Sequence, residues 1–330
     1  VLVLAPAALF RSFFDDARQR RLSRFFRWSR SGARTLERIP RTTLAEAEAL
    51  VTTWDSPLFP ADALRHAPRV RVVGHCGGEV KGRFAAALFD RVTITHAPGP
   101  MARYVAELAV AMLLYAARNV DAHRAALRRA SNAVYGRMHR EGLMEETLVG
   151  RTVGIFGFGR IGRETAALLR PFGARLLVHD PYVRAADIRR RGATPVSWAA
   201  LVETSRALVL AAALTDRTRG LLDRRALARL RDGAIVVNVA RGALVDLDAL
   251  TAEVRRGRLR CALDVTDPEP LPVRHPLRRL AGAILTPHVG AGQREVRAAI
   301  ADTVLDDLER FFAGSRPRNR VSAAMLDRMT

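Results

Sequence analysis

Short apolar runs alternate with longer stretches of helical periodicity along nearly the whole chain. The early runs are VLVLA (1–5), ALVTTW (49–54), VRVVG (70–74) and VTITH (92–96). A second series is more regular: TVGIFG (152–157), RLLVHD (175–180), ALVLAA (207–212), AIVVNV (234–239), RCALDV (260–265) and AILTP (283–287). Near-continuous apolar runs of this length, separated by helical segments, predict parallel strands covered by helices on both faces. The expected class is therefore α/β, with doubly wound parallel sheets. The six later runs fit a dinucleotide-binding domain. A chain of 330 residues suits two domains better than one core.

The intervening segments carry helix punctuation. Asp223 precedes RRALARLR and Asp246 precedes LDALTAEVRRG, so each carboxylate can cap a helix by accepting free backbone N–H groups. Gly257 stands where the second of these helices should stop. QREVRAAIADTVLDDLERFFAG reads as one long amphipathic helix ended by Gly314, followed by an irregular SRPRNR. The most apolar helical stretch, LAVAMLLYAA (108–117), is about half of what a bilayer requires, so no membrane span is expected. The opening VLVLAPAALF lacks a basic flank and a cleavage-like site and reads as a buried strand, not a signal peptide.

Composition changes this picture little. Cys76 and Cys261 are far apart and give neither a disulfide framework nor a metal spacing, so no metal is expected and the default setting is a reducing cytoplasm. The formal charge of +21 suggests nucleic acid at first sight. Lys81, however, is the single lysine among 54 basic residues, and the arginines are spread throughout beside abundant alanine. That bias is what a GC-rich coding sequence produces without a binding face. The densest patch, RQRRLSRFFRWSRSGAR (18–34), interleaves aromatics with arginines; it is read as solvated surface in preference to a nucleic-acid site.

The chemistry begins at VGIFGFGRIG, where Gly157, Gly159 and Gly162 have GxGxxG spacing between an apolar strand and a helix. Gly157 permits the tight turn, Gly159 lets the backbone approach a pyrophosphate, and Gly162 lets helix and strand pack closely. The helix start offers N–H groups and a positive dipole end to the anion. Asp180, ending the next strand, can accept both ribose hydroxyls and would repel a 2′-phosphate, which favours NAD over NADP despite Arg184, Arg189 and Arg190 nearby.

Three more polar features follow later strands. VNVARGALVD places Arg241 after one strand, ALDVTDPEPLP places Asp264 and Glu269 after the next, and LTPHVG places His288 after the last. A guanidinium, a carboxylate and an imidazole beside a nicotinamide are what reduction of a 2-keto acid needs. Arginine's fork suits a substrate carboxylate. Histidine can donate a proton to the carbonyl oxygen as hydride arrives, and an adjacent glutamate stabilises the imidazolium. Singly, each has a plainer reading: Arg241 as a helix cap, Glu269 as a solvated loop residue, His288 as a structural histidine. The combination decides against these.

Through GIFGFGRIG, HDPY, VNVARGALVD, ALDVTDPEPLP and TPHVG the chain resembles the D-isomer-specific 2-hydroxyacid dehydrogenase family, of D-3-phosphoglycerate dehydrogenase-like form, from about residue 49 onward. The resemblance implies catalytic roles for Arg241, Glu269 and His288. It implies NAD contacts from Gly157, Gly159, Arg160, Ile161, Gly162, Asp180, Val239, Ala240, Asp264, His288 and Gly290. It also implies a substrate loop at Cys76, Gly77 and Gly78 that works with Arg241 on the acid. A Rossmann NAD-binding domain (98–289) would be inserted into a flavodoxin-like substrate or lid domain (1–97 and 290–330). The active site would lie in the cleft that closes between them. YVAELAVAMLLYAARNV resembles the helix that crosses between domains and builds a homodimer. The appended regulatory domain of long phosphoglycerate dehydrogenases is expected to be absent.

Some positions depart from the family pattern. Glu79 stands in VVGHCGGEVKG where a small polar residue is usual. Ala211 and Ala213 replace a His and a Pro beside the cofactor, and Met101 replaces an Asn before the crossing helix. The expected function is NAD-dependent interconversion of a 2-keto acid and its D-2-hydroxy acid. The alternatives are a non-enzymatic NAD-sensing protein of the corepressor type, or a dehydrogenase of a non-keto-acid substrate such as phosphite.

Overall fold

The computed structural model describes residues 1–129, 132–141 and 146–329. Its strands in chain order are β1 (Leu2–Leu4), β2 (Ser29–Ser31), β3 (Ala49–Thr52), β4 (Val72–His75) and β5 (Thr93–His96). There follow β6 (Thr152–Phe156), β7 (Arg175–His179), β8 (Thr194–Pro195), β9 (Ala207–Leu210), β10 (Ile235–Asn238), β11 (Arg260–Leu263), β12 (Ala283–Leu285) and β13 (Arg320–Val321). The chain divides into two compact units, Val1–Met101 with Ala291–Thr330, and Ala102–Gly290.

In the first unit the strand order is β13-β5-β4-β3-β1-β2. The strands β1 to β5 pair in parallel, in the 2-1-3-4-5 order of a flavodoxin-like sheet. The central strands carry no exposed residue, as expected for a sheet covered on both faces. Leu50, Val73, Phe84 and Ile94 belong to the core on one side. The long C-terminal helix, Arg294–Phe312, packs so closely on β4 that a Cβ at Gly74 would lie 2.5 Å from Val304. Residues 315–319 are irregular as expected, and Arg320–Val321 then pairs antiparallel with β5 and closes that edge.

The arginine-rich patch is also structured. Asp15 caps the helix Asp16–Phe25 by accepting from the Arg18 N–H. From that helix Arg18 reaches Asp302 at 2.5 Å, and Arg21 reaches Asp306 at 2.5 Å and Glu309 at 2.6 Å. Part of the patch thus pins one helix to another.

The second unit has seven strands in the order β12-β11-β10-β9-β6-β7-β8, all parallel. From β6 the chain moves outward to β8, then returns to β9 and continues the other way. This is the Rossmann order extended by one strand, with its reversal between β6 and β9. Asp223 and Asp246 cap their helices as expected, accepting from Ala226 and Ala249 at 2.8 and 2.9 Å. Among the described residues no helix is long and apolar enough to cross a membrane.

Candidate functional site

Register places the chemistry. Phe156 pairs with Leu210, Leu210 with Asn238, Asn238 with Leu263 and Leu263 with Leu285. The residues that follow each of these leave the sheet at one level, along its carboxyl rim. Gly157, Ala211, Val239, Asp264 and Thr286 begin those five exits. In open α/β sheets, this rim at the reversal of strand order is where ligands bind.

At the reversal, Gly157 takes φ +90°, and a Cβ there would lie 2.5 Å from Ala212 Cα, so only glycine fits. A Cβ on Gly162 would collide with the Gly157 carbonyl. Gly159 differs: a Cβ there would meet nothing within 4 Å. It precedes the helix Arg160–Leu169 and supplies no side-chain cap. The turn therefore leaves open space against the start of a helix, and a pyrophosphate fits that space and its N–H donors. Arg163 Nε closes the back of the turn on the Phe158 carbonyl at 2.9 Å.

Asp180 is bound to this turn. Its Oδ2 accepts from the Phe158 N–H at 2.7 Å and its Oδ1 from the Tyr182 N–H at 2.8 Å. Each oxygen keeps a lone pair for a ribose hydroxyl. Of the neighbouring arginines, Arg184 and Arg190 both turn to Asp187, at 2.9 and 2.7 Å, which holds that carboxyl below its ordinary pKa.

At the other end of the rim, His288 Nδ1 lies 2.6 Å from Glu269 Oε1. Both side chains are a little under half exposed. His288 has φ +54°, a conformation a non-glycine residue adopts only when held there. The holding group is Asp264, which is almost fully buried. Its carbonyl accepts from His288 N–H at 2.8 Å. Its Oδ1 accepts from the Thr286 hydroxyl at 2.6 Å and from Val289 N–H at 2.9 Å, and its Oδ2 accepts from Gly290 N–H at 3.0 Å. Three of about four acceptor positions are filled, so the carboxylate fixes the histidine's loop and one position on Oδ2 is left over.

Arg241 leaves the neighbouring strand. Asn238 Nδ2 donates to the Arg241 carbonyl at 2.9 Å, and Asn238 Oδ1 accepts from Ala240 N–H at 3.0 Å, which fixes the turn containing Val239 and Ala240. Gly242 packs directly on the backbone of Thr266 and Asp267, in the loop that leads to Glu269. The elements bearing Arg241, Glu269 and His288 thus interlock at three adjacent strand ends. The sequence reading missed Asn238 and Thr286. Their signal was a polar residue closing an otherwise apolar run.

The comparisons with known proteins agree with this geometry. Residues 110–290 match the family model for the D-isomer specific 2-hydroxyacid dehydrogenase, NAD binding domain. The chain belongs to this family. A D-3-phosphoglycerate dehydrogenase of Mycobacterium leprae is 34% identical over 271 residues, 82% of this chain and 50% of that protein. The chain spans about half the length of such relatives. A glyoxylate reductase of Korarchaeum cryptofilum is 31% identical over 283 residues, 84% of this chain and 83% of that protein. The crystal structure of the TT0316 protein from Thermus thermophilus superposes with a TM-score of 0.79 at 30% identity, covering 97% of this chain and 99% of that one.

The loop that the family resemblance gives to the substrate carboxylate lies in the first unit. Cys76 is fully buried, which raises its thiol pKa far above the ordinary value, and its N–H donates to the Thr52 carbonyl at 2.7 Å. Gly77 N–H donates to the His75 carbonyl at 2.9 Å. Those two amides are engaged within the fold; the Gly78 amide lies outside these bonds, while its carbonyl lies 3.1 Å from His96 Nδ1. Met101 closes over this turn, 2.8 Å from where a Gly78 Cβ would stand. Glu79 folds back over its own loop, its Oε1 2.7 Å from the Cβ position of Gly82, and its charge faces Arg83.

Proposed function

We propose that this chain is an NAD-dependent oxidoreductase that interconverts a 2-keto acid and its D-2-hydroxy acid. The observation that carries the reading is the 2.6 Å contact between His288 Nδ1 and Glu269. With Nδ1–H held by a carboxylate, the proton on Nε2 is the one available to a substrate oxygen. Bound NADH supplies the hydride for the keto carbon. Arg241 anchors the substrate carboxylate through its fork of donors. His288 gives its Nε2 proton to the carbonyl oxygen, and Glu269 stabilises the imidazolium beforehand and orients the ring throughout. In oxidation the same ring takes the hydroxyl proton. The Gly78 amide, with Cys76 and Gly77 shaping its turn, adds a donor to the acid. The pyrophosphate rests on Gly157, Gly159, Arg160, Ile161 and Gly162, the ribose on Asp180, and the nicotinamide end on Val239, Ala240, Asp264 and Gly290. The working form is a homodimer, and neither nucleic acid nor membrane takes part.

The test is NADH oxidation across glyoxylate, hydroxypyruvate, pyruvate, and branched and aromatic 2-keto acids, with chiral analysis of the product. Turnover to the D-hydroxy acid is expected on at least one of them. NADH binding without turnover across the panel, or an L product, would overturn the proposal.

A further inference from the structure

Glu269 meets His288 from a segment that main-chain pairing does not hold. Residues 267–271, between β11 and β12, make no backbone-to-backbone hydrogen bond with any described residue, and 267–270 are exposed. Pro268 and Pro270 have no N–H to give. The Glu269 and His288 side chains are themselves nearly half exposed. A water-exposed pair of this kind is weak when its carriers move, because holding two side chains in one geometry costs entropy. The 2.6 Å contact therefore depends on how firmly the backbone under Glu269 is fixed.

Side chains do the fixing, at both ends of the loop. At the entry, the Thr266 hydroxyl donates to the Pro268 carbonyl at 2.9 Å, and Gly242 packs on the backbone of Thr266 and Asp267. At the exit, Leu271 is buried in the core of the second unit, and Arg278 grips the main chain beside it. Arg278 Nε donates to the Pro272 carbonyl at 3.0 Å, and its Nη2 donates to the Leu271 carbonyl at 2.5 Å. The guanidinium is placed for this by the short 3-10 turn Pro276–Arg279. In that turn Leu277 is fully buried, and its N–H donates to His275 Nδ1 at 3.3 Å. A planar fork of donors matches two neighbouring carbonyls in a way that a flexible ammonium does not.

We propose that Arg278 is a positioning residue for the proton transfer: by clamping the Leu271 and Pro272 carbonyls it holds Glu269 within hydrogen-bond distance of His288. This rests on the dehydrogenase reading above, and every residue in it belongs to the second unit. Arg278 acts only through Glu269, so its contribution vanishes when Glu269 is removed.

The experiment measures kcat, KM for the best 2-keto acid and NADH affinity in the wild type, Arg278→Met, Glu269→Ala and the double variant. Arg278→Met should lower kcat by about fivefold to thirtyfold, the scale of one to two hydrogen bonds. KM and NADH affinity should stay within about twofold of the wild type. In the Glu269→Ala background the same substitution should change kcat by less than about twofold. A wild-type kcat in Arg278→Met, or an equal loss in both backgrounds, would refute the proposal; the second result is what general loosening of the fold gives. Arg278→Gln keeps one amide donor group and should fall between the wild type and Arg278→Met, and it replaces Arg278→Met throughout should that variant not fold. If no keto acid turns over in the wild type, the dehydrogenase reading has failed by itself. Crystal structures of the wild type and the Arg278 variant then decide the clamp: a Glu269–His288 contact present in the first and broken in the second supports it, and a contact unchanged in the variant or absent from the wild type refutes it.

Discussion

At the scale of single residues, the account turns on where individual oxygen atoms are held. Asp180 spends one acceptor position on Phe158 and one on Tyr182, and this keeps the carboxylate at the rim beside the glycine turn, where the proposal puts the ribose. A negative group fixed there should exclude a 2′-phosphate, more so because Arg184 and Arg190 are both drawn to Asp187. Asp180→Ala should therefore raise NADPH affinity relative to NADH by at least about tenfold, the scale of one charged interaction. Fluorescence titration with both nucleotides measures it directly. An unchanged ratio would remove Asp180 from the specificity argument. Cys261 makes the opposite case: burial pushes its thiol up to about 12, so it is a core residue that chemistry does not need.

At the scale of elements, strand ends do the positioning. The end of β11 delivers Asp264 into the loop after β12, where it takes three side-chain hydrogen bonds and fixes His288 at φ +54°. Asp264→Asn places an NH₂ group against N–H donors and should cost about 1–3 kcal/mol of stability. Because that loop carries the imidazole, keto-acid turnover should fall by more than tenfold in protein that is still folded at the assay temperature. Thermal melting alongside steady-state rates separates the two effects, and wild-type turnover would contradict the role. Such elements were legible in sequence to different degrees. The ten apolar runs are all strands, and in the central ones burial on both faces writes itself as nearly uninterrupted Val, Leu, Ile and Ala. The glycine turn, Arg241, Glu269 and His288 stood out because each follows such a run. In contrast, β2 (Ser29–Ser31), β8 and β13 are short edge strands with little apolar content. They exist through pairing with distant partners, which no local window contains. The meeting of Arg297 with Trp54 joins residues brought together only by the packed C-terminal helix, and the Asp264 clamp likewise joins the end of β11 to the loop after β12.

At the scale of the whole molecule, each unit can be tested as a folded body. In the first, His75 is completely buried at the end of β4, with its Nδ1 2.9 Å from the Thr52 hydroxyl and the Phe84 ring edge-on to it. Desolvation first, then the charges of Arg83 and His96, hold its pKa well below the ordinary 6.5. Below that value the unfolded chain gains a proton that the folded one refuses, so stability declines as pH drops, by about 1.4 kcal/mol per unit. Urea unfolding at pH 7.5 and 5.5 should reveal this loss, and His75→Gln should shrink the difference between the two. Equal pH dependence in both proteins would contradict it. The excess of arginine is a second whole-molecule property. Arg18 and Arg21 are matched by Asp302, Asp306 and Glu309 on an adjacent helix, so part of the basic patch is internal cement.

The central claim is that an imidazole held by Glu269 delivers the proton to a keto oxygen. The most direct measurement is kcat for NADH-dependent reduction of the best 2-keto acid by His288→Asn against the wild type, with NADH binding followed by fluorescence in both. The account predicts a loss of roughly a hundredfold to ten-thousandfold in kcat, in a variant that still binds NADH. A variant that binds NADH and reduces the acid at the wild-type rate would contradict it.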